Sequence, residues 1–113
     1  MVFSCMVQEN QVPAAQRTLI ESRLTAIAGD VFSEQPDDIN VGWVEVKSGH
    51  GFTAAEPSTS SLALAIVPDG TASDVREKLL SAMSTAWMDV TACSVNEIVA
   101  TAADVSHFAQ ASA

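Results

Sequence analysis

Hydrophobic and polar residues follow two patterns along the chain, one typical of β-strands and one typical of α-helices. The first segment, Val2 to Val7, is mostly apolar and a polar stretch follows it, so it predicts a short buried strand. From Ala14 onwards apolar residues recur at steps of four, three and four, which places them on one helix face: Ile20, Leu24, Ile27 and Val31. Pro13 suits the first turn of this helix, where an N–H group has no intrahelical partner.

A second strand is predicted from Ile39 to Val46, where β-branched residues and Trp43 lie between polar segments. Glu45 and Lys47 alternate with valines, as residues on an exposed strand face do. A strand, a helix and a strand with short connections form a β-α-β unit. Its two strands should therefore run parallel, joined by a right-handed crossover.

The second half repeats this order of elements. Leu62 to Val67 is predicted to be a buried strand, and a Pro-Asp-Gly turn follows it. Thr71 is predicted to cap a helix, with Asp74 as its acidic partner. A fourth strand is predicted from Val95 to Ala102, followed by a polar-to-small tail from Asp104. The apolar stripe of the second helix comprises Val75, Leu79, Met83 and Ala86, with Trp87 beside it.

Placed side by side at a spacing of about 59 residues, the two halves align Arg17 with Arg76 and Ile20 with Leu79. The sequence therefore predicts a single α/β (α+β) domain over residues 1–113, built from two β-α-β repeats at about 1–57 and 58–113. Its four strands should form one mixed sheet with both helices packed on one face. The other face needs a cover, so we expect a symmetric oligomer.

Composition narrows the classes of partner. The chain has 14 acidic and 5 basic residues, which disfavours nucleic acid and anionic membrane surfaces as partners. No apolar run approaches the roughly 18 residues of a membrane helix. The first residues resemble no signal peptide, so we expect a cytoplasmic protein. Cysteines and histidines show no ligand spacing, and we expect neither a metal nor another cofactor.

The segment after the second strand has the form K-x-G-H-x-F-x-x-x-E, in which the fixed positions are Lys47, Gly49, His50, Phe52 and Glu56. This loop, between two β-α-β repeats, resembles the tautomerase superfamily, which includes 4-oxalocrotonate tautomerase and cis-3-chloroacrylic acid dehalogenase. The segment Thr18 to Glu21 is similar to the first helix of the tautomerase. The resemblance covers nearly the whole chain and implies a homotrimer that needs no cofactor.

Catalysis in that family rests on an amino-terminal proline, whose amine acts as a base because desolvation lowers its pKa. In this sequence Val2 follows Met1 in the place of the proline. Two alternatives follow for the catalytic candidates Met1 and Val2. Either the terminal primary amine acts as a base or forms a Schiff base with a carbonyl substrate, or the terminus has no chemical role.

The resemblance also implies a small-molecule pocket near the N-terminus, bordered by Asn40 and Phe52. His50 is either an acid in this pocket or a loop histidine that the backbone satisfies. Trp43 either packs in the core or a subunit interface, or forms a pocket wall beside Phe52. Arg17 and Arg76 are predicted to lie on solvent-facing sides of their helices.

Other positions bear on the substrate and therefore on the function. The family carries arginines for a substrate carboxylate at positions that are occupied here by Val12, Asn40, Pro68 and Thr71. One hypothesis is therefore a tautomerase-superfamily protein with weak or altered keto–enol tautomerase or isomerase activity on a small, uncharged carbonyl compound. The other is a catalytically silent trimeric module that binds a ligand or a protein partner through the same pocket.

Overall fold

The computed structural model describes residues 1–47, 50, 52–53, 56–57 and 59–107. Four strands form one mixed sheet in the order β2-β1-β5-β6, in which the central pair β1/β5 is antiparallel and the two outer pairs are parallel. A separate two-stranded sheet pairs β3 with β4. The elements are β1 (Val2–Gln8), α1 (Ala14–Phe32), β2 (Asn40–Val46), β3 (Phe52–Thr53), β4 (Glu56–Pro57), β5 (Ser61–Val67), α2 (Ser73–Thr91) and β6 (Ile98–Asp104).

The two helices cover one face of the large sheet, which confirms the predicted α+β architecture of duplicated β-α-β units. Both helices are 19 residues long, and they begin at Ala14 and Ser73, which are 73 − 14 = 59 residues apart. The central strands begin at Val2 and Ser61 and differ by the same 61 − 2 = 59 residues. The internal spacing of the sequence is therefore also the spacing of the elements.

The core lies between the helices and the sheet. Alternate residues of the two central strands point into it and are fully buried: Phe3, Cys5, Val7, Ala63, Ala65 and Val67. The predicted helical stripes supply the opposite wall through Ile20, Leu24, Leu79, Met83, Ala86 and Trp87. Burying each large apolar side chain is worth about 1.5–3 kcal/mol, so this layer holds the helices on the sheet.

The opposite face of the sheet carries apolar side chains with no helix above them. One row crosses all four strands, because Val44 pairs with Met6, Met6 with Leu62, and Leu62 with Val99. Val44, Met6 and Val99 are 50%, 41% and 52% exposed. We call this row the open-face row. Such a continuous apolar strip on a sheet is typical of a surface that another chain covers.

Three predicted element ends are wrong. Pro13 is the N-cap of α1, one residue before the first turn. Thr71 does not cap α2: the N-cap is Ala72, and the Thr71 hydroxyl donates to the Pro68 carbonyl within the turn. Strand β6 begins at Ile98, because Ser94 and Glu97 form a capping box that folds residues 95–97 into a 3-10 turn.

Neither helix is long and apolar enough to cross a membrane, a finding that covers the described residues.

Candidate functional site

The amino terminus is held at one end of the sheet. The Met1 amine donates a 2.7 Å hydrogen bond to the Asp38 carbonyl, and its nitrogen lies 4.0 Å from a carboxylate oxygen of Glu34. The main-chain N–H of Asn40 in turn donates to the Met1 carbonyl at 3.0 Å. The Met1 side chain is only 1% exposed and packs against the core. The first residue is therefore anchored on both its main-chain and its side-chain atoms.

Val2 and Asn40 lie beside this amine. They pair across β1 and β2, and both side chains are exposed on the open face. Val2 also pairs with Ile66 of β5, so the terminus lies at the end of the sheet where β5 finishes. The structure thus brings three of the predicted site residues together: Met1, Val2 and Asn40.

The two predicted loop residues are described only in part. His50 is exposed, and its main-chain N–H donates to the Lys47 carbonyl at 2.9 Å. Phe52 is the first residue of β3, but its side chain lies outside the described part, as does Gly49. Their roles as an acid and as a pocket wall stay predictions.

Trp43 makes the contacts of a packing residue. Its ring centroid lies 5.8 Å from that of Trp87, and its indole N–H donates to the Glu21 carboxylate at 2.8 Å. The Arg17 guanidinium lies 5.2 Å from the ring centroid, within the range of a cation–π contact. These contacts favour the first alternative for Trp43, packing in the core, and its place in a pocket beside Phe52 stays a prediction.

The predicted solvent exposure of the two repeat-related arginines is wrong. The side chains of Arg17 and Arg76 are only 23% and 26% exposed, and they form ion pairs with Glu45 and Asp104 respectively. Glu45 is exposed, as predicted, with 49% of its side chain accessible, although it lies on the helix-facing side of β2 together with Trp43. The 59-residue repeat could have predicted both ion pairs from the sequence. It relates Arg17 to Arg76, and it relates Glu45 to Asp104.

Each ion pair borders a surface cleft between the start of a helix and the end of a strand. One cleft of about 260 Å³ is lined by Asn10, Val12, Pro13, Ala14, Arg17 and Glu45. Another of about 300 Å³ is lined by Arg76, Ala102, Ala103, Asp104 and His107. None of the predicted site residues is among these linings, so the clefts are features that the sequence alone did not single out.

Three groups have shifted pKa values with clear physical causes. Burial, and then the nearby charge of Glu21, raise the pKa of the Cys5 thiol to about 12, which makes it unreactive. The main-chain N–H of Ser106 lowers the pKa of Asp69, and the N–H of Ser94 lowers that of Glu97. Among the described residues, no group of His, Cys, Asp and Glu side chains is arranged to hold a metal ion.

No protein-family profile matches this sequence, and no curated protein is significantly similar to it. Solved structures do match. N1, a member of the cis-3-chloroacrylic acid dehalogenase family, is 13% identical with a TM-score of 0.86, over 93% of this chain and 75% of that one. Pt0534, inactivated by 2-oxo-3-pentynoate, is 16% identical with a TM-score of 0.83, over 92% and 85%. The symmetric trimer Q0 fused 4-OT is 12% identical with a TM-score of 0.81, over 93% and 85%.

Identities this low establish a shared fold and nothing further about chemistry. The agreement extends over nine-tenths of this chain. The chain therefore has the fold of the fused 4-OT and cis-3-chloroacrylic acid dehalogenase structures, the tautomerase-superfamily fold that its sequence resembles.

Proposed function

We propose that this protein is a tautomerase-superfamily member with a small-molecule pocket at its N-terminus, and with weak or altered keto–enol tautomerase activity. The single observation that supports this most is the anchored amine of Met1, which lies at the end of β1 beside Val2 and Asn40. In this proposal Asn40 and Phe52 border the pocket. The fold supports a site at the Met1 amine, because the catalytic amine of the tautomerase superfamily is the amino terminus that precedes the first strand.

A primary amine at this position has two routes to tautomerisation. As a base, it removes a proton from the carbon next to a carbonyl group, and the carbonyl oxygen gains a proton to give the enol. As a nucleophile, its nitrogen attacks the carbonyl carbon, water leaves, and an imine forms. With a β,γ-unsaturated carbonyl compound, the imine loses an α-proton to give a dienamine. Reprotonation at the γ-carbon and hydrolysis by water then release the α,β-unsaturated isomer and regenerate the amine. Neither route needs a metal or a cofactor.

The substrate that we propose is a small, uncharged carbonyl compound. At the positions where the family carries arginines, this chain has Val12, Asn40, Pro68 and Thr71, none of which offers a positive charge. Val12 is moreover 3% exposed and belongs to the core. A substrate carboxylate would therefore find no bidentate partner at these four positions.

Ketonisation of the methyl ester of phenylenolpyruvate, which carries no carboxylate, tests the proposal directly. We expect slow ketonisation by the native chain and a marked gain for Val2→Pro with Met1 removed, because the secondary amine of the proline then occupies the family position. Leu19→Glu, which changes an exposed residue of α1, is the matched control and should behave as the native chain does. No activity in either the native chain or the proline variant would refute the enzymatic proposal.

Covalent labelling gives a second readout that does not depend on turnover. Because 2-oxo-3-pentynoate inactivates Pt0534, we expect its uncharged methyl ester to add to the Met1 amine of this chain, which peptide mapping by mass spectrometry will locate. The two cysteines are the internal controls. Cys5 is buried with a raised pKa, whereas Cys93 is partly exposed and free. Labelling at Cys93 alone would count against a reactive terminus.

A second candidate function is a catalytically silent homotrimeric binding module. The observation that favours it is the anchoring of Met1, whose buried side chain and hydrogen-bonded amine fit a structural role as well as a chemical one. Under this proposal the protein binds a small ligand or a protein partner through the same pocket. Under either proposal we expect a cytoplasmic homotrimer, assembled through the open-face row.

A further inference from the structure

The two halves of the molecule differ in the surroundings of their repeat-related arginines, Arg17 and Arg76. Arg17, Trp43 and Glu45 form a cluster in the first half. Adding 59 to each number gives Arg76, Ala102 and Asp104 in the second half. The arginine and the acidic residue are retained, whereas an alanine stands where the first half has an indole.

The hydrogen bonds of the two arginines are otherwise the same. The Nε of Arg17 donates to the Val12 carbonyl at 2.9 Å, and that of Arg76 donates to the Thr71 carbonyl at 2.9 Å. One Nη of each donates to the strand carboxylate, Glu45 or Asp104. Both kinds of bond lie in the plane of the guanidinium, so they leave its two faces available for stacking.

In the first half, a face of the guanidinium is used. The Arg17 guanidinium lies over the ring of Trp43, 5.2 Å from its centroid. In the second half, a cleft of about 300 Å³ lies beside Arg76. Its other lining residues are Ala102, Ala103, Asp104 and His107.

We propose that this cleft binds the planar aromatic ring of a small molecule, stacked on the Arg76 guanidinium as Trp43 stacks on Arg17. A ring suits the site better than an anion. Asp104 already neutralises the guanidinium and takes its in-plane donor, and the chain as a whole carries a net charge of −9. The cleft lies along the edge strand β6. The Met1 amine donates to the Asp38 carbonyl, which lies just before β2 at the opposite edge of the sheet. The cleft is therefore independent of the function proposed above.

Indole is the probe, because it is the ring that the first half uses. In ¹⁵N-labelled protein, we expect millimolar indole to shift the Nε–H resonance of Arg76 upfield, through the ring current of a stacked indole. The shift should saturate with a Kd on the order of 1 mM, as expected for a fragment of this size. Ala102→Trp should abolish the shift, because its own indole fills the cleft. Ala102→Leu serves the same purpose if the larger ring is not accommodated.

Trp43→Ala is the matched control in the other half. Removing that indole opens the corresponding space at Arg17, so we expect a second saturable shift, now on the Arg17 Nε–H. The proposal is overturned if indole leaves the Arg76 resonance unmoved, or if both Ala102 variants respond as the native chain does. It is equally overturned if the free protein already has a ring-shifted Arg76 resonance, because a ring of the protein then occupies the cleft.

Discussion

At the scale of single residues, Arg17 shows how one side chain connects three elements. It extends from the first turn of α1, bonds to the carbonyl of Val12 before the helix, and pairs with Glu45 at the end of β2. Its guanidinium also covers Trp43, whose indole N–H is bound by Glu21 of the same helix. The cluster therefore fixes the start of α1 over the edge strand.

Arg17→Gln should destabilise the fold by about 1–2 kcal/mol, since it removes a hydrogen bond to the backbone, a half-buried ion pair and a cation–π contact. Arg76→Gln should cost less, because Arg76 has no indole beneath it. Arg23→Gln is the control: its pair with Asp89 is exposed, and we expect a change within about 0.5 kcal/mol. Urea denaturation at fixed protein concentration measures all three. Equal losses for Arg17 and Arg23 would contradict this account.

At the scale of elements, both helices end in the same strained way. The C-cap residues Ser33 and Ala92 each have φ of 58°, in the left-handed region, and they are 92 − 33 = 59 residues apart. The main-chain N–H of Ser33 donates to the Gly29 carbonyl, and that of Ala92 donates to the Met88 carbonyl. A left-handed conformation costs a residue with a Cβ roughly 1–2 kcal/mol, and glycine is free of that cost.

Ala92→Gly and Ser33→Gly should therefore each stabilise the protein by about 0.5–1 kcal/mol, because relief of the left-handed strain outweighs the greater flexibility of unfolded glycine. Ala26→Gly, at an exposed position within α1, is the matched control and should instead destabilise by about 1 kcal/mol. Chemical denaturation of the three variants decides the matter. A loss of stability at either C-cap would show that the cap is not strained.

The segment after β6 is fastened to the turn before α2. The main-chain N–H of Ser106 donates to the Asp69 carboxylate at 3.0 Å, and this bond is the largest cause of the lowered pKa of Asp69. The bond therefore stabilises the folded state when Asp69 is ionised. That contribution is present above the ordinary carboxyl pKa and is lost as the pH falls through the lower folded-state value.

Asp69→Asn and Ser106→Pro should both lower stability at neutral pH, and the deficit relative to the native chain should shrink as the pH falls from about 6 to about 3. Ser106→Pro removes both the main-chain N–H and the hydroxyl that hydrogen-bond to Asp69, so the double variant should be no worse than the more damaging single one. Thermal unfolding across this pH range is the measurement. A deficit that is constant with pH would mean that the bond does not govern the ionisation of Asp69.

At the scale of the whole molecule, the hydrophobic pattern predicted the architecture, because periodicity and duplication both report the core. Ile20, Leu24, Leu79 and Met83 lie where the pattern placed them. The charged residues were harder to place, since a pattern treats Arg17 and Glu45 as solvated, and only the tertiary fold brings them together. Strand β6 was misplaced for a local reason: apolar Val95 reads as strand, but the Ser94–Glu97 capping box folds it into a turn.

The candidate site was predictable only through the family resemblance. Nothing in periodicity or composition points to Met1, and its hydrogen bond to Asp38 depends on the parallel pairing of β1 with β2. The Arg76 cleft has no motif either. It becomes visible when the two halves of the folded chain are compared residue by residue, because the missing indole at Ala102 is a difference between repeats.

The open-face row sets the last expectation, which concerns assembly. Its members Val44, Met6, Leu62 and Val99 run across the whole sheet without a helix above them, and a charge in their midst would have to be buried in any interface that covers them. Met6→Glu should therefore convert the expected trimer of 11.8 kDa chains into monomers, whose secondary structure by circular dichroism is retained. Leu19→Glu, on the exposed side of α1, should leave the trimer intact. Sedimentation equilibrium measures both masses, and a Met6→Glu protein as heavy as the Leu19→Glu protein would place the subunit contacts elsewhere.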